Sequence, residues 1–88
     1  MITENDKKVI IEYAKKYEAK YVLLFGSSAS QDESGDIDIA VKGIKPEKFF
    51  KFYAEIFKYA TKPVDLIDLN ERSSFNDLVE KNGIRIYG

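Results

Sequence analysis

YVLLFGSSASQDESGDIDIAV, residues 21–41, holds two strand-length apolar runs with a polar loop between them. YVLLF, residues 21–25, is continuously apolar and stops abruptly at Gly26-Ser27. Residues 28–35, SASQDESG, are small and polar, a loop that can open with a short helical turn. DIDIAV, residues 36–41, alternates strictly, which predicts a strand burying Ile37, Ile39 and Val41 on one face.

Helical spacing brackets this pair on both sides. Upstream, Thr3 is placed to cap a helix, with Asp6 as a weak capping-box partner. Val9, Ile10, Tyr13, Ala14 and Tyr17 then recur at helical intervals. Downstream, Pro46 suits a first helical turn and opens a helix to about Ala60. Its Phe49, Phe50, Phe52, Tyr53, Ile56, Phe57, Tyr59 and Ala60 cover about half the circumference, more than the roughly 100° stripe a surface helix needs. VDLIDL, residues 64–69, predicts a third strand. A last helix has Ser74 and Asp77 as its capping box, Phe75, Leu78 and Val79 facing inward, and Asn82-Gly83 as its end. IRIY, residues 84–87, predicts a final short strand. The order is α-β-turn-β-α-β-α-β, an α/β or α+β domain with helices packed on a small mixed sheet, spanning residues 1–88.

Composition narrows the chemistry. The chain has 88 residues, of which 44 % are hydrophobic and 33 % charged, with six Tyr and six Phe. His and Cys are absent, which removes imidazole bases, thiol nucleophiles, disulfides and thiolate zinc sites. Catalysis has to use carboxylates, hydroxyls, Lys, Arg, backbone amides or a metal on oxygen ligands. A balance of 14 basic and 15 acidic residues argues against a nucleic-acid binder working by bulk charge. No run approaches the roughly 20 apolar residues of a membrane span, and the polar MITENDKK start is unlike a secretory signal. A cytoplasmic protein is expected.

Asp36 and Asp38 need a reason, because Asp is depleted in strands. At i and i+2 they share one face about 7 Å apart, and like charges so placed repel. A divalent cation would relieve that repulsion, and hard oxygen donors suit Mg²⁺ or Mn²⁺, two of which can serve in-line displacement at phosphorus. The plainer alternative is a solvent-facing strand that carries Asp for solubility. The preceding Gly26-Ser27 shifts the balance. A buried strand ending in Gly-Ser before a helical turn presents backbone amides to a phosphate, and the Ser27 hydroxyl adds a donor. Asp65, inside the apolar run 64–69, can be carried beside Asp36 and Asp38 by a neighbouring strand. Asp68 falls on the opposite strand face and reads as a strand terminator.

FGSSAS, SGDIDIAV and VDLIDL, in that order, resemble the signature of the DNA polymerase beta-like nucleotidyltransferase superfamily. More narrowly, they resemble the minimal nucleotidyltransferases encoded beside HEPN-domain partners. The resemblance implies that Gly26 and Ser27 hold a nucleoside triphosphate and that Asp36 and Asp38 bind two metals. Asp65 would be the third carboxylate, ligating one metal and accepting the proton of the attacking hydroxyl. Ser30 stands where such proteins usually carry Arg or Lys, and Lys42 and Lys45 are the candidate substitutes.

Two functions follow from this resemblance. One is Mg²⁺-dependent transfer of AMP from ATP to a hydroxyl, with a tyrosine of a HEPN toxin as the candidate acceptor, because 88 residues leave no room for an acceptor-binding helical domain. The other is a catalytically weak antitoxin subunit that neutralises its partner by binding. The aromatic-rich helix 46–60 suits such an interface, in a homodimer or a heteromeric complex, although small domains also use large aromatics to fill a core.

Overall fold

The computed structural model describes residues 2–26 and 35–88. Among the described residues, three helices and four strands follow one another as α1 (Glu4–Lys16), β1 (Tyr21–Leu24), β2 (Ile37–Lys42), α2 (Pro46–Tyr59), β3 (Val64–Asp68), α3 (Ser74–Asn82) and β4 (Ile84–Tyr87). The fold is mixed α+β, with the strands in the order β3-β2-β1-β4. β1 pairs antiparallel with both β2 and β4, whereas β2 and β3 run parallel. Among the described residues no helix is long and apolar enough to cross a membrane.

The strict alternation of β2 explains the layering. Ile37, Ile39 and Val41 are buried together with Val22, Leu24 and Val64, under Ile10 and Ala14 of α1 and Phe52 and Ile56 of α2. Burying Phe52 and Ile56 contributes about 1.5–3 kcal/mol each. The opposite face is thinner. Among the described residues, Leu23, Ala40 and Leu69 meet Val79 of the nine-residue α3 as their buried apolar partner.

Helix α1 starts at Thr3, whose side chain accepts from the Asp6 amide at 3.2 Å. It ends in a Schellman turn, with Ala19 N–H donating to Ala14 O at 2.9 Å and Glu18 N–H to Lys15 O at 3.2 Å. Asp6 does not turn back to close a capping box. Its side chain is fully buried and accepts from Thr61, at 2.9 Å from the amide and 2.6 Å from the hydroxyl. A carboxylate can be buried there because donors meet both of its oxygens. The contact ties the first turn of α1 to the connection between α2 and β3.

Two further expectations are corrected at α3. The cap is Ser73, not Ser74, since its hydroxyl accepts from the Asn76 amide at 3.0 Å. Phe75 and Leu78 stay exposed, and Asn76 and Val79 take the inward positions. Asn76 is buried because its side-chain amide donates to Asp68 O at 3.1 Å and Glu71 O at 2.8 Å. Helix α3 is also held to β1 by the Tyr21 hydroxyl, 2.6 Å from Glu80 Oε1, while Arg85 covers the Tyr21 ring. Helix α2 gives only part of its aromatic set to the core. Phe52 is buried and Phe49 and Tyr53 partly so, but Phe50, Phe57 and Tyr59 are exposed.

Asp6→Ala strands the two Thr61 donors and should cost about 2 kcal/mol. A thermal melt followed by circular dichroism should show a midpoint lower by roughly 10 °C for a domain of this size. Burial, reinforced by Glu80, pushes the Tyr21 phenol up to about 12. The fold favours the neutral phenol, so this contribution is complete below pH 10 and fades as the pH rises through 12. The stability difference between wild type and Tyr21→Phe should therefore shrink over that interval in denaturant titrations. An unchanged difference would contradict the assignment.

Candidate functional site

The parallel pairing of β2 with β3 sets Ile37 opposite Val64, Asp38 opposite Asp65 and Ile39 opposite Leu66. The isoleucines and their partners enter the core under α1 and α2. Asp38 and Asp65 therefore leave the sheet together on the other face, one strand spacing apart, on the order of 5 Å at the backbone. Asp36 precedes the strand by one residue and is exposed, as is Asp65, whereas Asp38 is half-buried. Asp68 pairs with Val41, on the face opposite Asp65. It accepts from the Asn70 amide at 2.9 Å and turns the chain out of the strand, as its terminator role predicts.

Because β1 is antiparallel to β2, its C-terminal end lies beside the start of β2. Phe25 N–H donates to Asp38 O at 3.1 Å. Gly26 then adopts φ +57°, and a Cβ there would stand 2.7 Å from Asp38 Oδ2. Two constraints thus require glycine at this position: left-handed backbone and contact with a carboxylate. Three separated motifs meet at one sheet end, Gly26 against Asp38 and Asp38 beside Asp65. Ser27, Ser30 and the expected short helical turn lie outside the described residues.

The donor chemistry suits a divalent cation, since Asp38 and Asp65 offer hard oxygens from adjacent strands at the same register. Among the described residues, no three acidic side chains converge closely enough to form a cation cage as they stand. Neither candidate substitute for a cation at position 30 is at this end. Lys42 closes β2 at the far end, and its Nζ donates to Leu69 O at 3.2 Å. Lys45 is the N-cap residue of α2.

Sequence reasoning missed a groove next to Gly26. It has a volume of about 450 Å³ and is lined by Phe25, Gly26, Phe75, Leu78 and Asn82 among others. Phe25 and Phe75 meet edge to face with centroids 6.0 Å apart. Phe75 is 53 % exposed and Leu78 58 %, so α3 turns apolar surface to solvent beside the carboxylates. The available signal was an excess of apolar positions on a short helix. Periodicity alone does not say that Asn76 takes the inward place.

A model of the family described as polymerase beta nucleotidyltransferase matches residues 8–88. The chain belongs to this family. The nucleotidyltransferase fold is also that of solved toxin-antitoxin structures. One, the MntA-HepT pair, has a TM-score of 0.73 at 22 % identity, covering 98 % of this chain and 73 % of that one. A toxin-antitoxin structure with AMP-PNP gives 0.74 at 24 % identity, covering 93 % of this chain and 73 % of that chain. No curated protein matches the chain.

Gly26→Ala should displace the Asp38 carboxylate and strain the backbone, at about 1–3 kcal/mol. A chemical denaturation series on wild type, Gly26→Ala and the double variant Gly26→Ala/Asp38→Ala separates the two contributions. The double variant should recover the steric part and retain the cost of the left-handed backbone.

Proposed function

We propose that this nucleotidyltransferase domain transfers AMP from ATP to a hydroxyl on a HEPN-type toxin partner, and so acts as the antitoxin of the pair. The observation that carries the reading is the register of Asp38 with Asp65, closed on one side by Gly26. The likeness to MntA-HepT and to a toxin-antitoxin structure with AMP-PNP supports the choice of partner and nucleotide.

In this reading the acceptor oxygen attacks the α-phosphorus in line, the bond to the bridging oxygen breaks, and pyrophosphate leaves. The acceptor's proton passes to the Asp65 carboxylate, which is exposed and able to receive it. Gly26 lets the backbone approach the triphosphate closely, and Ser27 donates to it. Asp36, Asp38 and Asp65 would hold Mg²⁺ or Mn²⁺, which supplies charge neutralisation at the phosphates when bound. Positioning and charge suffice for such a transfer, which suits a chain without His or Cys. The groove beside Gly26 borders the site, and its exposed Phe75 and Leu78 would offer an acceptor protein apolar contact.

A second reading, neutralisation by binding with little transfer, is favoured by Ser30 in place of the usual cation. One experiment separates the two. The chain is incubated with its partner, Mg²⁺ and ATP labelled at the α-phosphate. Label should pass to the partner and fall at least 100-fold with Asp38→Asn, whose fold is checked by circular dichroism. Undiminished labelling would overturn the enzymatic reading. Absence of label with either protein, together with full protection of cells by Asp38→Asn, would establish neutralisation by binding.

A further inference from the structure

Helix α2 has two apolar faces, and the core uses one. Phe52 and Ile56 are buried against the sheet. The outer face carries Phe50, Tyr53, Ala54 and Phe57, at i, i+3, i+4 and i+7. Phe50 is 78 % exposed and Phe57 55 %. These residues and Lys58 line a shallow trough of about 470 Å³. Tyr53 and Phe57 meet edge to face, with centroids 6.2 Å apart, so the trough has a defined shape.

We propose that this face docks against the same face of a second copy of the chain, the two α2 helices running antiparallel about a two-fold axis near Ala54. Three features select that occupant. Ala54 is small and central, which lets two helix backbones approach closely. A two-fold axis there sets Phe50 of one copy against Phe57 of the other, twice, so one patch supplies both halves of the contact. Charge decides the direction. Glu47 and Lys58 are eleven residues apart, hence within about 20° of each other around the helix, on one edge of the apolar stripe. In an antiparallel pair like edges meet, and Glu47 of each copy faces Lys58 of the other. A parallel pair would bring unlike edges together and leave Glu47 with no Lys58 across the seam. Opposed helix dipoles also favour the antiparallel choice.

The contact leaves the candidate site open. α2 packs on the Ile37, Ile39 and Val41 face, and Asp38 and Asp65 leave the sheet on the other. A helix of 14 residues is about 21 Å long, so the buried area falls at the low end of specific interfaces, under about 1,200 Å². Association in the micromolar range is expected, about 1–100 μM.

Sedimentation velocity over a concentration series tests this. Wild type should pass from monomer to dimer, and Phe57→Asp should remain monomeric with an unchanged far-UV spectrum. Glu47→Lys and Lys58→Glu should each weaken association about tenfold, and the double charge exchange should restore it. A wild-type chain that stays monomeric at several hundred micromolar overturns the proposal. So does a dimer indifferent to Phe57→Asp, or a charge exchange that fails to restore association. If the chain is monomeric and Phe57→Asp instead abolishes binding of a toxin partner, the face belongs to that partner and self-docking is excluded.

Discussion

β2 and β3 are parallel neighbours, and that pairing constrains nearly everything else in the molecule. Parallel strands cannot be joined by a tight turn. The chain leaving Lys42 has to rise off the sheet, travel back its full length and re-enter at Val64. Helix α2 is that return path. Its buried Phe52 and Ile56 seal one sheet face, and Tyr53 holds it to the strand it delivers, through a hydroxyl 3.0 Å from Val64 O. The same register sets two aspartates side by side on the face that α2 does not cover. One backbone arrangement therefore supplies both the core and the cluster of charge.

Burial and repulsion are kept apart by the pleat. Alternate residues of β2 serve opposite purposes, Ile37 and Ile39 inward, Asp36 and Asp38 outward. A one-residue slip between β2 and β3 would drive carboxylates into the core and isoleucines into water. The hydrophobic core thus holds the acidic pair in register. Asp6 reinforces this from a distance, since its contact with Thr61 anchors the chain just before β3 begins.

The four strands, three helices and their order were legible from periodicity and end signals, as was the buried face of β2. The acidic pair at i and i+2, Asp65 in its apolar run and Gly26 stand out in the sequence as well, because each breaks a local rule that folding alone would keep. What was hidden depended on partners distant in sequence. Asp6 sits at capping distance from Thr3, yet its carboxylate is claimed by Thr61, fifty-five positions away. At α3, Phe75 and Leu78 carried the apolar signal, but Asn76 won the interior because Asp68 O and Glu71 O waited there for a donor. Strand order and register are set by such long-range contacts, and a single strand does not announce them.

The contact between Gly26 and Asp38 gives the site a direction of decay. While an aspartate occupies position 38, its Oδ2 fills the space a side chain at 26 would need. The glycine cannot be lost first without disturbing the carboxylate. A lineage that lost Asp38 could only then relax Gly26, and even then the left-handed backbone would slow the change. A descendant without Asp38 would thus carry the glycine as a relic, outlasting the aspartate that had required it.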